Sequence, residues 1–214
     1  MKGNLYGRLL HRKADLSLEP DLATKWEKLD ATTWRFSLRQ GVKFHNGNAF
    51  NADDVVFSYN RQTQESSDMS FALATVKEVR KVDDHTVDII TKGPDPILLL
   101  NMPIFYIVDK EWTEANNAFE VVRASGSTNF ANVNANGTGP FKLVEWVQDT
   151  RLVLEPNPNY WNKANVQHNL TGAVFTPIAN DATRVAALLS GEIDLMYPVP
   201  LQDVNRLEND PNTL

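Results

Sequence analysis

The chain has 214 residues, 42% of them apolar and 22% charged, and its 27 acidic against 21 basic side chains give a net charge of −6. That composition falls in the globular range and excludes the charge-rich, apolar-poor signature of disorder, while the acidic balance removes the positive field that general nucleic-acid binding requires. The absence of cysteine rules out disulfides, thiolate metal sites and cysteine nucleophiles together, and no uninterrupted apolar run approaches the roughly 18 residues of a membrane-spanning helix.

In chain order, residues 1–10, with Leu5, Tyr6, Leu9 and Leu10, predict a short buried element leading to a turn near Asp15. No signal-peptide core precedes them, and both ends of the chain read as cuts. Residues 20–27 predict one or two helical turns, with Pro20 early and Leu22 and Trp26 four apart on one face. Residues 33–39 alternate apolar and polar side chains as a half-buried strand, Gln40-Gly41 turns it, and 42–44 is expected to pair back in a small antiparallel meander. Asn46-Gly47 is a turn dipeptide. Asn51 reads as an N-cap with Asp53 and Asp54 in the positive first turn, and Val55, Val56 and Tyr59 set a helix over 52–62. A polar loop at 64–68 leads to a short helix at 70–74 and to strands at 76–82 and 85–91 joined by Asp83-Asp84. Short helices follow at 97–101 and 109–117.

Residues 124–136 read as a long surface loop ended by Gly137-Thr138-Gly139-Pro140. Beyond it, 141–147 and 151–155 form a second hairpin, Pro156-Asn157-Pro158-Asn159 a rigid turn capped by Tyr160 and Trp161, and 170–176 a strand. Residues 180–190 form a helix stopped by Gly191, and 193–196 form a closing strand. That strand, helix, strand unit makes the class mixed α/β. Gly137 is the one candidate domain boundary: hairpins and short helices precede it.

Few residues in this pattern point to chemistry. His11, His45, His85 and His168 have no i, i+4 partner and no carboxylate at ligand spacing, so no metal site or cofactor is expected. Asp53-Asp54 and Asp83-Asp84 are explained by a helix start and a hairpin turn. Gly137-Thr138-Gly139-Pro140 lacks the Lys of a phosphate loop, is followed by a strand, and has Pro140 where a backbone N–H would be needed. The five tryptophans are not interleaved with Lys or Arg as nucleic-acid stacking platforms would be. The residues alone therefore describe a protein without catalytic apparatus, which favours a binding module over an enzyme.

Seven segments, in order, carry a resemblance: 5–10, 20–27, 33–47 (ending Phe44-His45-Asn46-Gly47), 50–58 (with Asn51-Ala52-Asp53-Asp54-Val55), Gly137-Thr138-Gly139-Pro140-Phe141-Lys142-Leu143, Asn157-Pro158-Asn159-Tyr160-Trp161, and 187–195. Together they resemble the family 5 extracellular solute-binding proteins, the peptide/nickel-type binding components of ABC importers. The resemblance implies a type II periplasmic-binding-protein-like fold that closes around a solute between two lobes. Residues 1–136 would be the extra subdomain of lobe one and 137–214 part of its core sheet, with the second lobe absent and the chain a fragment.

It further implies no enzymatic activity, a short peptide or other small solute as ligand, and ABC permease transmembrane subunits as partners. The location would be the periplasm, or the extracellular face through a lipid anchor. By spacing, the family's pocket aromatic falls on Phe71, within Met69-Ser70-Phe71, where the hydroxyl of the Tyr in some relatives is lost; core packing is the alternative role for this ring. Thr138, at the subdomain junction, is the second ligand-binding candidate. A ligand-sensing domain of a regulator is the competing function. A partial core sheet would also expose edges and apolar surface, so self-association is expected.

Overall fold

The computed structural model describes residues 2–122, 128–166 and 169–213; residues 124–127 of the expected loop, and His168, lie outside them. A short helix α1 (Lys2–Leu5) leads to the hairpin β1 (Leu10–Arg12) and β2 (Leu18–Pro20), whose register pairs His11 with Glu19. The Asp15 carboxylate accepts the Ser17 N–H at 2.9 Å, making the expected turn an Asx turn.

Residues 20–27 depart from the expected helix. Ala23–Lys28 is a strand, β3, paired antiparallel with β4 (Thr33–Leu38) so that Trp26 stands opposite Phe36. The reason lies in the spacing itself. Four residues are close to one helical turn of 3.6 and equal two strand repeats of 2, so the spacing of Leu22 and Trp26 suits either element, and the open edge of β4 decides.

Helix α2 (Ala52–Gln62) forms as the sequence predicts. The Asn51 side chain accepts the Asp53 N–H at 2.7 Å while Asp54 reaches back to the Asn51 N–H at 2.9 Å, a capping box. The hairpin β5 (Val76–Asp83) and β6 (Thr86–Thr91) completes a four-stranded antiparallel sheet in the order β3-β4-β6-β5. Because β3 and β6 occupy both edges of β4, residues 42–44 cannot pair back onto it. They fold on themselves instead, Lys43 bridging Ala49 around Gly47, which takes φ 99.

One face of the sheet carries Phe36, Leu38, Val79, Val87 and Ile89 into the main core, against which α2 packs. The other face places Arg35, Asp88 and Arg80 in register. Arg35 binds the Asp88 carboxylate at 2.8 and 3.0 Å and Arg80 adds a third contact at 3.0 Å. The Arg35 hydrogen bonds are the main reason that carboxyl is held below the usual range.

Helices α3 (Leu98–Asn101) and α4 (Lys110–Ala115) follow, the latter N-capped by Asp109. The hairpin β7 (Phe141–Val147) and β8 (Arg151–Pro156) joins β9 (Ala173–Phe175) in a three-stranded sheet with its own small core of Leu5, Phe141, Leu152 and Leu154. Strand β9 is shorter than the expected 170–176.

The chain divides into two compact units, Met1–Gln148 with Leu152–Val174, and Asp149–Arg151 with Phe175–Leu214. The second contains α5 (Asp181–Leu189), N-capped by Asn180 and followed by Gly191 at φ 76, and α6 (Val204–Glu208) around a core of Val185, Met196 and Leu207. The strand expected at 193–196 does not form. Met196 is buried but Leu195 and Tyr197 are exposed, and no neighbouring strand among the described residues supplies the ladder that an extended segment needs.

Candidate functional site

Thr138 sits where distant stretches of the first unit meet. A Cβ on Gly137 would stand 2.0 Å from the Leu5 carbonyl oxygen and one on Gly139 2.4 Å from that of Asn4, so only glycine permits this approach. The Gly139 N–H donates to the Leu5 carbonyl at 2.9 Å. Thr138 is buried, and its Oγ1 accepts the Gly7 N–H at 3.2 Å. The glycines thus serve close backbone contact.

His45 closes the same junction. Its backbone N–H donates to the Gly137 carbonyl at 2.8 Å, its Nδ1 accepts the Gly137 N–H at 3.2 Å, and its Nε2 lies 3.2 Å from the Gly139 carbonyl. With Nδ1 accepting, the ring proton belongs on Nε2, which donates. Burial pushes this imidazole down to about 4, so it is neutral at pH 7.

Beneath His45, the fully buried Asp109 gathers the surrounding loops. Its Oδ2 accepts from the side-chain amides of Asn46 and Asn48 at 2.9 Å and of Asn136 at 2.8 Å, and its Oδ1 accepts the Trp112 N–H at 2.9 Å. Asp54 accepts the Asn51 and Lys110 N–H groups, each at 2.9 Å. Burial pushes its carboxyl up to about 7, with the Glu111 and Asp109 charges adding to the shift. Oxygens of Asp54, Asp109 and Glu111 come within 4.8 Å of one another. Backbone and amide donors already satisfy the two buried members, and that accounts for the arrangement.

The three neighbouring candidates share one turn. The 3-10 turn Ser70–Leu73 drives Ala72 and Leu73 fully into the core and thereby directs Phe71 outward, 64% exposed. Core packing, the alternative role for Phe71, is excluded by that exposure. Gln62, at the end of α2, holds the turn by donating to the Met69 carbonyl at 3.3 Å and to that of Ile104 at 3.4 Å. Ser70 donates its N–H to the Ser67 carbonyl at 3.2 Å. Thr138 lies apart, on the wall of a cavity of about 280 Å³ whose lining includes Tyr6, Arg8, Asp21, Tyr160 and Trp161 but none of residues 69–71.

Arg8 and Asp21 did not stand out in the sequence. The usable signal was a charged side chain inside the apolar run Leu5-Tyr6-Gly7-Arg8-Leu9-Leu10, which needs a partner if that run is buried. In the second unit, Asn180, Asp181, Gln202, Asp203 and Arg206 line an open groove of about 540 Å³ that contains no candidate residue.

A model of the bacterial extracellular solute-binding proteins, family 5 Middle, matches residues 17–214. The dipeptide-binding protein of Escherichia coli is 30% identical over 230 residues, covering 96% of this chain and 41% of that protein. The periplasmic oligopeptide-binding protein OppA of Salmonella typhimurium is 29% identical over 232 residues, covering 98% and 41%. Among solved structures, the ABC transporter-associated periplasmic binding protein DppA from Helicobacter pylori, in complex with the peptide STSA, matches with a TM-score of 0.82 at 30% identity, covering 98% of this chain and 44% of that one. NikZ from Campylobacter jejuni, in complex with Ni(L-His), matches with a TM-score of 0.83 at 25% identity, covering 98% and 40%. The chain spans about two-fifths of the length of the curated relatives it matches.

Proposed function

The chain belongs to the bacterial extracellular solute-binding proteins, family 5, and from that membership we propose that it is part of the solute-binding component of an ABC importer for short peptides. The observation that carries the reading is the match over residues 17–214, joined to relatives named for dipeptide and oligopeptide binding. In this reading residues 1–136 are the extra subdomain of lobe one and 137–214 part of its core sheet. The second lobe belongs to the remainder of a longer protein that works in the periplasm, or on the extracellular face through a lipid anchor, and delivers its solute to permease subunits. No helix of the described residues is long and apolar enough to cross a membrane.

Phe71 is the ligand contact on this side of the cleft. Its support is physical: a large apolar ring held in water by a core-anchored turn is a pre-organised stacking surface. Met69 and Ser70 flank it, and Thr138 acts from the junction, where its hydroxyl is engaged by Gly7. Solute capture proceeds by population shift, because only the closed arrangement lets both lobes touch the peptide.

Isothermal titration with di- to pentapeptides tests the reading on both the longer protein and the 214-residue chain. Binding by the longer protein, weakened about tenfold by Phe71→Ala, is the expected result. Tight binding by the 214-residue chain alone would overturn the division of the site between two lobes. Exposed Leu195, Tyr197, Val199 and Leu201 support self-association of this chain; light scattering that shows only monomer at high concentration would count against it.

A further inference from the structure

The cavity at Thr138 contains an ion pair that uses only part of each partner. Arg8 and Asp21 are both largely buried, with side chains 17% and 13% exposed, yet they meet only at one carboxylate oxygen of Asp21. Arg8 Nε and the Arg8 backbone N–H both approach Asp21 Oδ2, at 3.4 and 3.3 Å. Among the described residues no hydrogen bond reaches Arg8 Nη1 or Nη2, and none reaches Asp21 Oδ1. The outer nitrogens lie beside Gly3, another wall residue, where an added Cβ would stand 3.3 Å from Nη1 and 3.4 Å from Nη2.

Trp161 on the same wall is held in place by the Arg39 guanidinium 4.1 Å from its ring centroid and by Tyr160 at 5.5 Å. Thr138 adds a further donor, since Oγ1 receives the Gly7 N–H and keeps its own hydroxyl proton to give.

We propose that this cavity is a binding site for a small zwitterion of the α-amino-acid type, its carboxylate received by Arg8 and its ammonium by the Asp21 carboxylate. Donors and acceptor are complementary to that ligand in charge, and the size of the cavity, about 280 Å³, matches one small molecule better than an extended peptide. Tyr160 and Trp161, their rings tilted by 55° to each other, supply aromatic surface for an aromatic or long aliphatic side chain. Arg8 is suited to the carboxylate because its planar fork can use both Nη groups at once. The site is separate from the peptide contact proposed at Phe71, since residues 69–71 take no part in its lining.

Three probes decide the matter on the unmodified 214-residue chain by isothermal titration: L-phenylalanine, N-acetyl-L-phenylalanine and L-phenylalaninamide. Saturable binding of the free amino acid, at least about tenfold tighter than either blocked form, is expected, because each block removes one charge that the ion pair recognises. Absence of saturation with L-phenylalanine, or equal affinity for all three, overturns the proposal and leaves a cavity filled by water.

Arg8→Gln removes the guanidinium fork. It should weaken L-phenylalanine about threefold or more while leaving the amide unchanged; no change with the amino acid overturns the carboxylate assignment. Phe71→Ala should leave the amino-acid affinity within about twofold. A larger effect would show that the site extends beyond the cavity and would overturn its independence from the peptide reading.

Discussion

The two compact units differ in how they treat similar apolar material. In the first, Leu9, Leu10, Phe36, Phe50 and Phe105 are fully buried under a four-stranded sheet and its covering helix. In the second, a core cluster of Val185, Met196 and Leu207, with Leu188, Leu189 and Ile193 packed against it, is accompanied by Leu195, Tyr197 and Leu201, which are 78%, 87% and 89% exposed. The contrast teaches that an apolar, alternating segment acquires neither burial nor strand geometry from its own sequence. It needs an edge to pair with and a face to cover, and the first unit provides both.

Five measurements by urea denaturation would break or sharpen this comparison. The largest effect is expected from Gly137→Ala, which drives a methyl into the Leu5 carbonyl and should cost about 4 kcal/mol or more, at the upper limit for a single substitution; a loss below about 1 kcal/mol would mean that the junction is not tightly held. Asp109→Ala strands three asparagine amides and the Trp112 N–H in the interior and should cost about 3 kcal/mol. A neutral result would sink the idea that this carboxylate binds the loops together.

The third measurement concerns pH. Asp54 has its carboxyl raised in the fold from 3.8 to about 7, so its contribution to stability is complete below the unfolded value and is lost as pH rises through about 7. His45 is lowered from 6.5 to about 4, so its contribution is present above 6.5 and is lost as pH falls toward 4. The two slopes oppose each other between pH 4 and 6.5. Asp54→Asn removes one of them, and the urea midpoint should then fall more steeply on acidification than in the unmodified chain; parallel pH profiles would exclude the Asp54 contribution.

In the second unit the effects shrink. Gly191→Ala meets no neighbour within 4 Å and pays only for its positive φ, about 1 kcal/mol. Tyr197→Ser should change stability by no more than about 0.5 kcal/mol. A loss above about 2 kcal/mol at Tyr197 would mean that this side chain is covered in solution and would erase the contrast between the units.

Legibility in the sequence followed the range of the interactions. Helix α2 was readable to its ends because Asn51, Asp53 and Asp54 satisfy one another within three residues. The β5–β6 and β7–β8 hairpins were readable because turn residues and alternation are local. The helix expected over 20–27 gives way to β3 because the spacing of Leu22 and Trp26 suits both elements, and the strand expected at 193–196 lacks a partner strand among the described residues. Part of the expected surface loop also proved to be interior: Asn136 is buried against Asp109. Phe71 entered the candidate site through the family resemblance, whereas Arg8 and Asp21 could not be paired from sequence, their contact being settled by how the β1–β2 hairpin folds back.

The sequence by itself determined the mixed α/β class, the caps and turns of most elements and, through the order of its motifs, the family. Only the tertiary structure decided that His45 meets Gly137 and Gly139, that Asp109 collects Asn46, Asn48 and Asn136, and that Arg8 and Asp21 pair on the wall of a cavity through Arg8 Nε and Asp21 Oδ2. The bonds that cap a helix join residues a few positions apart and follow from local geometry. The Thr138 contact with Gly7 spans 131 residues and the Asn46 contact with Asn136 spans 90. Hydrogen bonds across such separations form only after packing has brought donor and acceptor to about 3 Å, a condition that no local pattern encodes.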